Sequence, residues 1–277
     1  MKSKAQQIEE PTNEELRVLT RRSALRLMGG AGFALIAGCA ADEQGTATTS
    51  LATTTSTDAA TATTAVPSPT NTAIASSPTF GNAGSCVLIP EETAGPFPLD
   101  LSESEQFFRA DITEGKEGVP MTLTLAIVDV NSDCAPLSGT RVDLWHCDAL
   151  GAYSGFQQQG LDTTNETFCR GIQLADASGQ VSFRTIFPGW YERRITHVHF
   201  QVFLESGLEA TSQIAFPQEI TNAVYAVEPY TSKGLNTSVA SIDRDVVFSD
   251  GSQYQMASIT GGADTRLLAT LLVGVAV

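Results

Sequence analysis

Apolar and polar positions alternate along much of the second half of the chain, and the alternation has the period of a strand. Met121–Val130 reads MTLTLAIVDV and Thr140–Trp145 reads TRVDLW, both with every second residue apolar over most of their length. Asp176–Gly179 (DASG) reads as a turn, and Gln180–Ile186 (QVSFRTI) after it alternates again. The final run, Leu267–Val277, is apolar enough to predict a strand buried on both faces. No long segment keeps a helical period. The pattern therefore predicts an all-β fold, an antiparallel β-sandwich.

The first part of the chain has a different character. Thr20–Leu25 (TRRSAL) is a twin-arginine motif, and the apolar stretch Leu27–Ala37 behind it is too short for a permanent membrane span. Ile36-Ala37-Gly38-Cys39 reads as a lipoprotein cleavage box. Residues 1–38 are thus expected to be an export signal and Cys39 the lipidated first residue of the mature chain; the alternative is a plain secretory signal with an incidental cysteine. This places the protein at the extracytoplasmic face of the membrane, held by a lipid. Residues 39–83 are dominated by Thr, Ala and Ser, with too few large apolar residues to offset the entropy of ordering them. They are expected to form a flexible tether whose hydroxyls offer sites for O-glycosylation. Residues 84–277 are long enough for one domain with a substantial core.

Charge narrows the partners. The whole chain has 16 Lys+Arg against 31 Asp+Glu. Residues 1–38 hold six of the basic and four of the acidic residues, which leaves 10 against 27, a formal charge of −17. Nucleic acid is therefore an unexpected partner, and so is a polybasic grip on anionic lipid.

The candidate chemistry lies in PGWYERRITHVHF. His197 and His199 stand one residue apart in a segment of strand propensity, so both imidazoles can face one point. Pro188-Gly189 marks a turn that brings Tyr191 in from the adjoining loop. A second tyrosine, Tyr153, follows an apolar strand and a glycine-containing turn in GTRVDLWHCDALGAYSGF. Neutral nitrogens with phenolate oxygens make a hard site that suits ferric iron better than zinc.

The two segments GTRVDLWHCDALGAYSGF and PGWYERRITHVHF resemble the intradiol ring-cleavage dioxygenases, specifically the exported branch related to the protocatechuate and catechol enzymes. The resemblance runs from about Cys86 to the C-terminus and includes ETAGPF and SQIAFP. It implies a non-haem Fe(III) site with Tyr153, Tyr191, His197 and His199 as ligands, Tyr191 and His199 axial, and Tyr153 and His197 equatorial. It also implies a catechol-type small aromatic diol and O2 as reactants, with Tyr191 giving way to take a substrate proton. Arg194 matches an active-site arginine that would meet substrate charge, Gln213 matches a glutamine near the metal, and Pro96 and Phe97 match a segment lining the substrate mouth. His146, the third histidine, is expected to be structural or to support the ligands. Arg193 departs from the family, which commonly has Gly there, and this bears on the shape of the loop.

With Cys39 assigned to lipid, Cys86, Cys134, Cys147 and Cys169 allow three disulfide connectivities. Cys86 and Cys134 lie outside the ligand motifs and are paired here. Cys147 and Cys169 are the second candidate pair, although the family usually has an aliphatic residue at the position of Cys169; the alternative is two buried thiols. Two other functions fit parts of the pattern. His197 and His199 with Asp148 would make a His/His/Asp metal enzyme. The co-occurrence of PLSGTRVDLW and DASGQVSF is typical of prealbumin-like modules, which allows a metal-free surface binding module on the same sandwich.

Overall fold

The alternating runs become the strands expected of them. In chain order the strands are β1 (Pro120–Asp129), β2 (Ala135–Pro136), β3 (Arg141–Trp145), β4 (Gln157–Gln158), β5 (Leu161–Asp162), β6 (Arg170–Leu174), β7 (Gln180–Ile186), β8 (His197–Leu204), β9 (Gly207–Ala215), β10 (Ser258–Gly261) and β11 (Leu267–Val275). The computed structural model describes residues 86–102, 104–158 and 160–277. The export signal, Cys39 and the tether up to residue 83 lie outside the described residues. Among the described residues, no helix is long and apolar enough to cross a membrane.

One large sheet has the order β10-β11-β1-β2, with β7 also paired to β1, the other large sheet has the order β6-β3-β8-β9, and β4 and β5 form a separate two-stranded sheet. Leu123, Leu125 and Ile127 of β1 and Val181 and Phe183 of β7 meet Val142 and Leu144 of β3 and Val198, Phe200 and Val202 of β8 in one buried core. Each such side chain contributes about 1.5–3 kcal/mol by leaving water, and this fixes the register, because a one-residue slip would expose the whole set. The pairing is antiparallel except between β1 and β11, which run parallel from Met121↔Leu267 to Asp129↔Val275. The chain reaches β11 only after a long excursion beyond β9, the kind of crossover that parallel pairing requires.

That excursion contains the short helix α1 (Gln218–Val224), which follows Pro217 and buries Thr221 and Val224. At seven residues it is too short to leave a helical period in the sequence. β11 also differs from its expected burial on both faces. Leu268 is exposed, so the strand alternates at first and is covered on both sides only near Gly274, where Leu88 bridges it and Ile89 N–H donates to the Gly274 carbonyl.

Cys86 and Cys134 are joined, with Cα atoms 5.6 Å apart, tying the entry of the domain to the turn after β1. Cys147 and Cys169 are not joined; both are buried free thiols, and this corrects the second candidate pair. The two side chains enter different clusters: Cys147 packs with Trp145 and Tyr153, and Cys169 joins the inter-sheet core. Burial pushes the Cys147 thiol up to about 12, and it is directed at the Gly189 carbonyl.

Candidate active site

The sandwich core fixes where the histidines point. Val198, Phe200 and Val202 of β8 enter the inter-sheet core, so the alternate residues His197 and His199 face the opposite side of their sheet. Strand register places Trp145 of β3 and Gln213 of β9 on either side of His199. The Trp145 ring stacks on the His199 imidazole with centroids 5.1 Å apart and planes within 3°. Loops close over this face. The loop after β3 delivers Tyr153, the loop between β7 and β8 delivers Tyr191, and the ETAGPF segment crosses above His199. Gly95 has φ +72°, and a Cβ there would stand 2.9 Å from His199 Cε1, so glycine lets this segment lie against the ring.

The expected ligands converge. His197 Nε2 lies 3.1 Å from His199 Nε2, 3.3 Å from the Tyr153 hydroxyl and 3.4 Å from the Tyr191 hydroxyl. Tyr153 is completely buried, whereas Tyr191 is half-buried toward the opening. His197 donates its Nδ1–H to the Ile195 carbonyl at 2.6 Å, which leaves a lone pair on Nε2 facing the cluster. His199 Nδ1 is buried without a hydrogen-bond partner.

Burial, reinforced by the Arg194 cation, holds His197 down to about 3, and burial with the neighbouring His197 holds His199 well below the usual histidine range. Both are therefore neutral and able to ligate. Burial also raises both tyrosines, Tyr153 strongly. Two imidazole nitrogens and two phenol oxygens thus meet at one point, a donor set of the kind that could hold a hard cation. With burial raising both phenols, they would ionise only beside strong positive charge, which a trivalent ion would supply.

The structure also brings together Arg194 and Gln213. Arg194 Nη1 lies 3.3 Å from His197 Nε2 and 3.4 Å from the Tyr191 hydroxyl. Its Nη2 donates to Gln213 Oε1 at 2.5 Å, and Gln213 Nε2 donates to the Thr93 carbonyl at 2.8 Å, which links the arginine to the ETAGPF segment. Behind it stands Asp245, which carries no sequence motif and was not expected. Asp245 Oδ2 accepts from Arg194 Nε at 2.9 Å and from Ile195 N–H at 2.8 Å, while Oδ1 accepts from Val247 N–H at 2.8 Å. Only the fold reveals this partner, 51 positions along the chain.

Phe97 stacks on Tyr153 with centroids 4.6 Å apart and meets the edge of Tyr191 at 6.3 Å, while Pro96 is exposed beside it. Phe156, also missed in the sequence, packs edge-on to Phe97 at 5.2 Å. His146 is buried behind the site, between the Cys147 carbonyl and the Thr185 hydroxyl, each at 2.7 Å from a ring nitrogen. Arg193 takes φ +68°, the left-handed backbone that glycine accommodates with least strain, and its N–H donates to Ser238 Oγ at 3.0 Å. Asp148 does not join the histidines, and the His/His/Asp arrangement is corrected accordingly. Its Oδ1 accepts the N–H groups of Leu150 and Ala152, shaping the turn before Tyr153. Among the described residues, no three His, Cys, Asp or Glu side chains converge as a metal site. The converging set is of tyrosines and histidines.

Fold and site together define a β-sandwich with a two-tyrosine, two-histidine cluster under loops at one sheet, buried except at Tyr191. Residues 95–243 match the family model described as Dioxygenase. Catechol 1,2-dioxygenase 1 of Acinetobacter lwoffii is 24% identical over 197 residues, covering 61% of this chain and 61% of that protein. The chlorocatechol 1,2-dioxygenase of Pseudomonas sp. strain P51 is 31% identical over 102 residues, 30% of this chain and 39% of that one. The solved intradiol ring-cleavage dioxygenase from Tetranychus urticae superposes with a TM-score of 0.61 at 26% identity, covering 69% of this chain and 95% of that one. The chain belongs to the intradiol ring-cleavage dioxygenase family. Its matches span 61% or less of the length of these curated catechol dioxygenases.

Proposed function

We propose that this protein is a non-haem Fe(III)-dependent oxidoreductase that cleaves a catechol-type ring between its two hydroxyl-bearing carbons, using O2. The observation that carries the reading is the meeting of Tyr153, Tyr191 and His199 within 3.1–3.4 Å of His197 Nε2. These four side chains would hold the ion. A bound ferric ion would supply the Lewis acidity that gathers the two diol oxygens and opens the ring to attack by O2.

The protein's own groups account for the rest. Tyr191, the less buried tyrosine, is the one that can move aside and take a hydroxyl proton from the incoming diol. Arg194 faces the same hydroxyl and meets negative charge on phenolate or substrate; Asp245 and Gln213 fix its orientation, so no reorganisation is needed as charge develops. Phe97, stacked on Tyr153, would present an apolar wall to the ring and keep water from that tyrosine, with the exposed Pro96 at the mouth beside it. A dicarboxylic acid of the muconate type is the product.

The chemistry is further proposed to take place outside the cytoplasm. The twin-arginine motif and Cys39 support export and attachment by a lipid, and the tether up to residue 83 would hold the domain away from the membrane. Twin-arginine export carries folded proteins, which suits a protein loaded with metal before it leaves the cell.

The test is direct. Purified protein should contain iron, show the red-brown absorption of phenolate-to-iron charge transfer, and consume O2 with a small panel of catechols. A colourless protein that gains neither colour nor O2 uptake on incubation with iron would overturn the reading and favour the binding module.

A further inference from the structure

We propose that Lys233 is a positioning residue that straps together the loops carrying Tyr153 and Tyr191 and thereby sets the spacing of the ligand cluster. The inference rests on the metal-site reading above. The two loops meet backbone to backbone. Gly189 N–H donates to the Asp148 carbonyl at 3.0 Å, and a Cβ on Gly189 would lie 2.3 Å from the Ala149 carbonyl oxygen. Gly151, at φ +89°, brings the other loop so close that a Cβ there would lie 2.2 Å from the Trp190 carbonyl oxygen. Such contacts exclude side chains, and they leave carbonyl oxygens of the two loops near one another.

Lys233 supplies the donor these carbonyls need. Its Nζ–H groups donate to the Leu150 carbonyl at 2.7 Å and the Trp190 carbonyl at 2.6 Å, one on each loop. Leu150 lies three residues before Tyr153, and Trp190 is next to Tyr191. The ammonium also stands 4.7 Å from the centre of the Trp190 ring, and Trp190 Nε1–H donates to the Gly234 carbonyl at 2.9 Å, closing a loop of contacts around the strap. The base of the strap is anchored. Lys233 N–H and Gly234 N–H both donate to the Tyr230 carbonyl, and the buried Tyr230 hydroxyl donates to the Phe187 carbonyl at 2.6 Å, where the Tyr191 loop begins.

Charge-assisted bonds to carbonyls are stronger than neutral ones, and one cation bridging two loops fixes their distance as no pair of separate bonds would. Arginine can repeat the bridge; methionine fills the space without the bonds.

The purified protein, its K233M and K233R variants, and G151A would be compared by hydrogen exchange and by the rate at which a chelator removes iron. In K233M, amide exchange in residues 148–153 and 187–191 should rise about tenfold with exchange in β1, β3 and β8 unchanged, and iron loss should accelerate about tenfold, as expected for local opening after loss of a charge-assisted bond. K233R should restore both. Unchanged exchange in K233M overturns the strap, and faster exchange with unchanged iron loss overturns its positioning role. If K233M does not fold, G151A decides: its methyl would stand 2.2 Å from the Trp190 carbonyl oxygen and 2.7 Å from Lys233 Nζ, so it pushes the ammonium off that carbonyl as it parts the loops, and parental values for both measurements would overturn the proposal. A parent protein that never holds iron would count against the metal-site reading instead, and the exchange measurement would still test the strap.

Discussion

Asp245 holds Arg194 from behind. Its carboxylate takes the arginine Nε–H at 2.9 Å and is itself fully shielded from solvent, so the guanidinium presents Nη1 to Tyr191 and His197 in one orientation. Truncating one member of a buried pair leaves the other charge uncompensated. D245A should therefore lower unfolding free energy by about 3–5 kcal/mol in denaturant melts, whereas D245N, which retains the shape of the contact, should cost less and still reduce turnover. A D245A protein with parental stability would show that the pair carries no such burden.

Tyr191 and Tyr153 differ in exposure, and this separates their roles. Y191F should bleach much of the visible absorption and lower turnover by about 10²-fold or more, since it removes a phenolate and a proton acceptor together, with a smaller effect on substrate binding. Absorption spectra and steady-state kinetics measure both. An unaltered spectrum would exclude Tyr191 as a ligand.

The strand runs and the His197/His199 pair were legible because both are local: period-two alternation and an HxH pair are read within one segment, whereas Tyr153, 44 positions from His197, entered through the resemblance and is brought to 3.3 Å only by the fold. Arg194 and Gln213 came from the resemblance, and the fold then joined them through a hydrogen bond. Asp245 and Lys233 were not legible. Their partners are a guanidinium and carbonyl oxygens brought near by long loops, and no spacing in the chain encodes that contact. Asp148 misled for a related reason, since a carboxylate close in sequence to a ligand loop was instead spent on the N–H groups of its own turn. The cysteine pair Cys147 and Cys169 failed because the two residues, just outside the ends of β3 and β6, send their side chains into different clusters, and no spacing in the chain encodes that divergence.

The bond between Cys86 and Cys134 spans 48 residues and lies away from the ligand loops. A closed loop of that length removes denatured-state entropy worth about 4 kcal/mol. C86S or C134S should accordingly lower the melting temperature while leaving the absorption spectrum of the iron-loaded protein unchanged. A spectrum that shifts with either variant would mean the bridge supports the site as well as the fold.

His146 gives the protein an acid-sensitive element. Burial holds its imidazole down to about 4, against an ordinary value of 6.5. Between those values the unfolded chain takes up a proton that the folded chain refuses, so stability falls as pH falls through this window; above it neither state holds the proton and the contribution is constant. The loss is at most about 1.4 kcal/mol per pH unit for this one group. His197 and His199 add the same sign in metal-free protein, so the comparison must hold the metal content fixed. H146Q keeps a polar group opposite Thr185 without the titrating ring. Its unfolding free energy should be lower at neutral pH, yet fall less steeply from pH 6.5 toward 4, by about one proton's worth of slope. Parallel curves for H146Q and the parent would show that His146 does not titrate differently on folding.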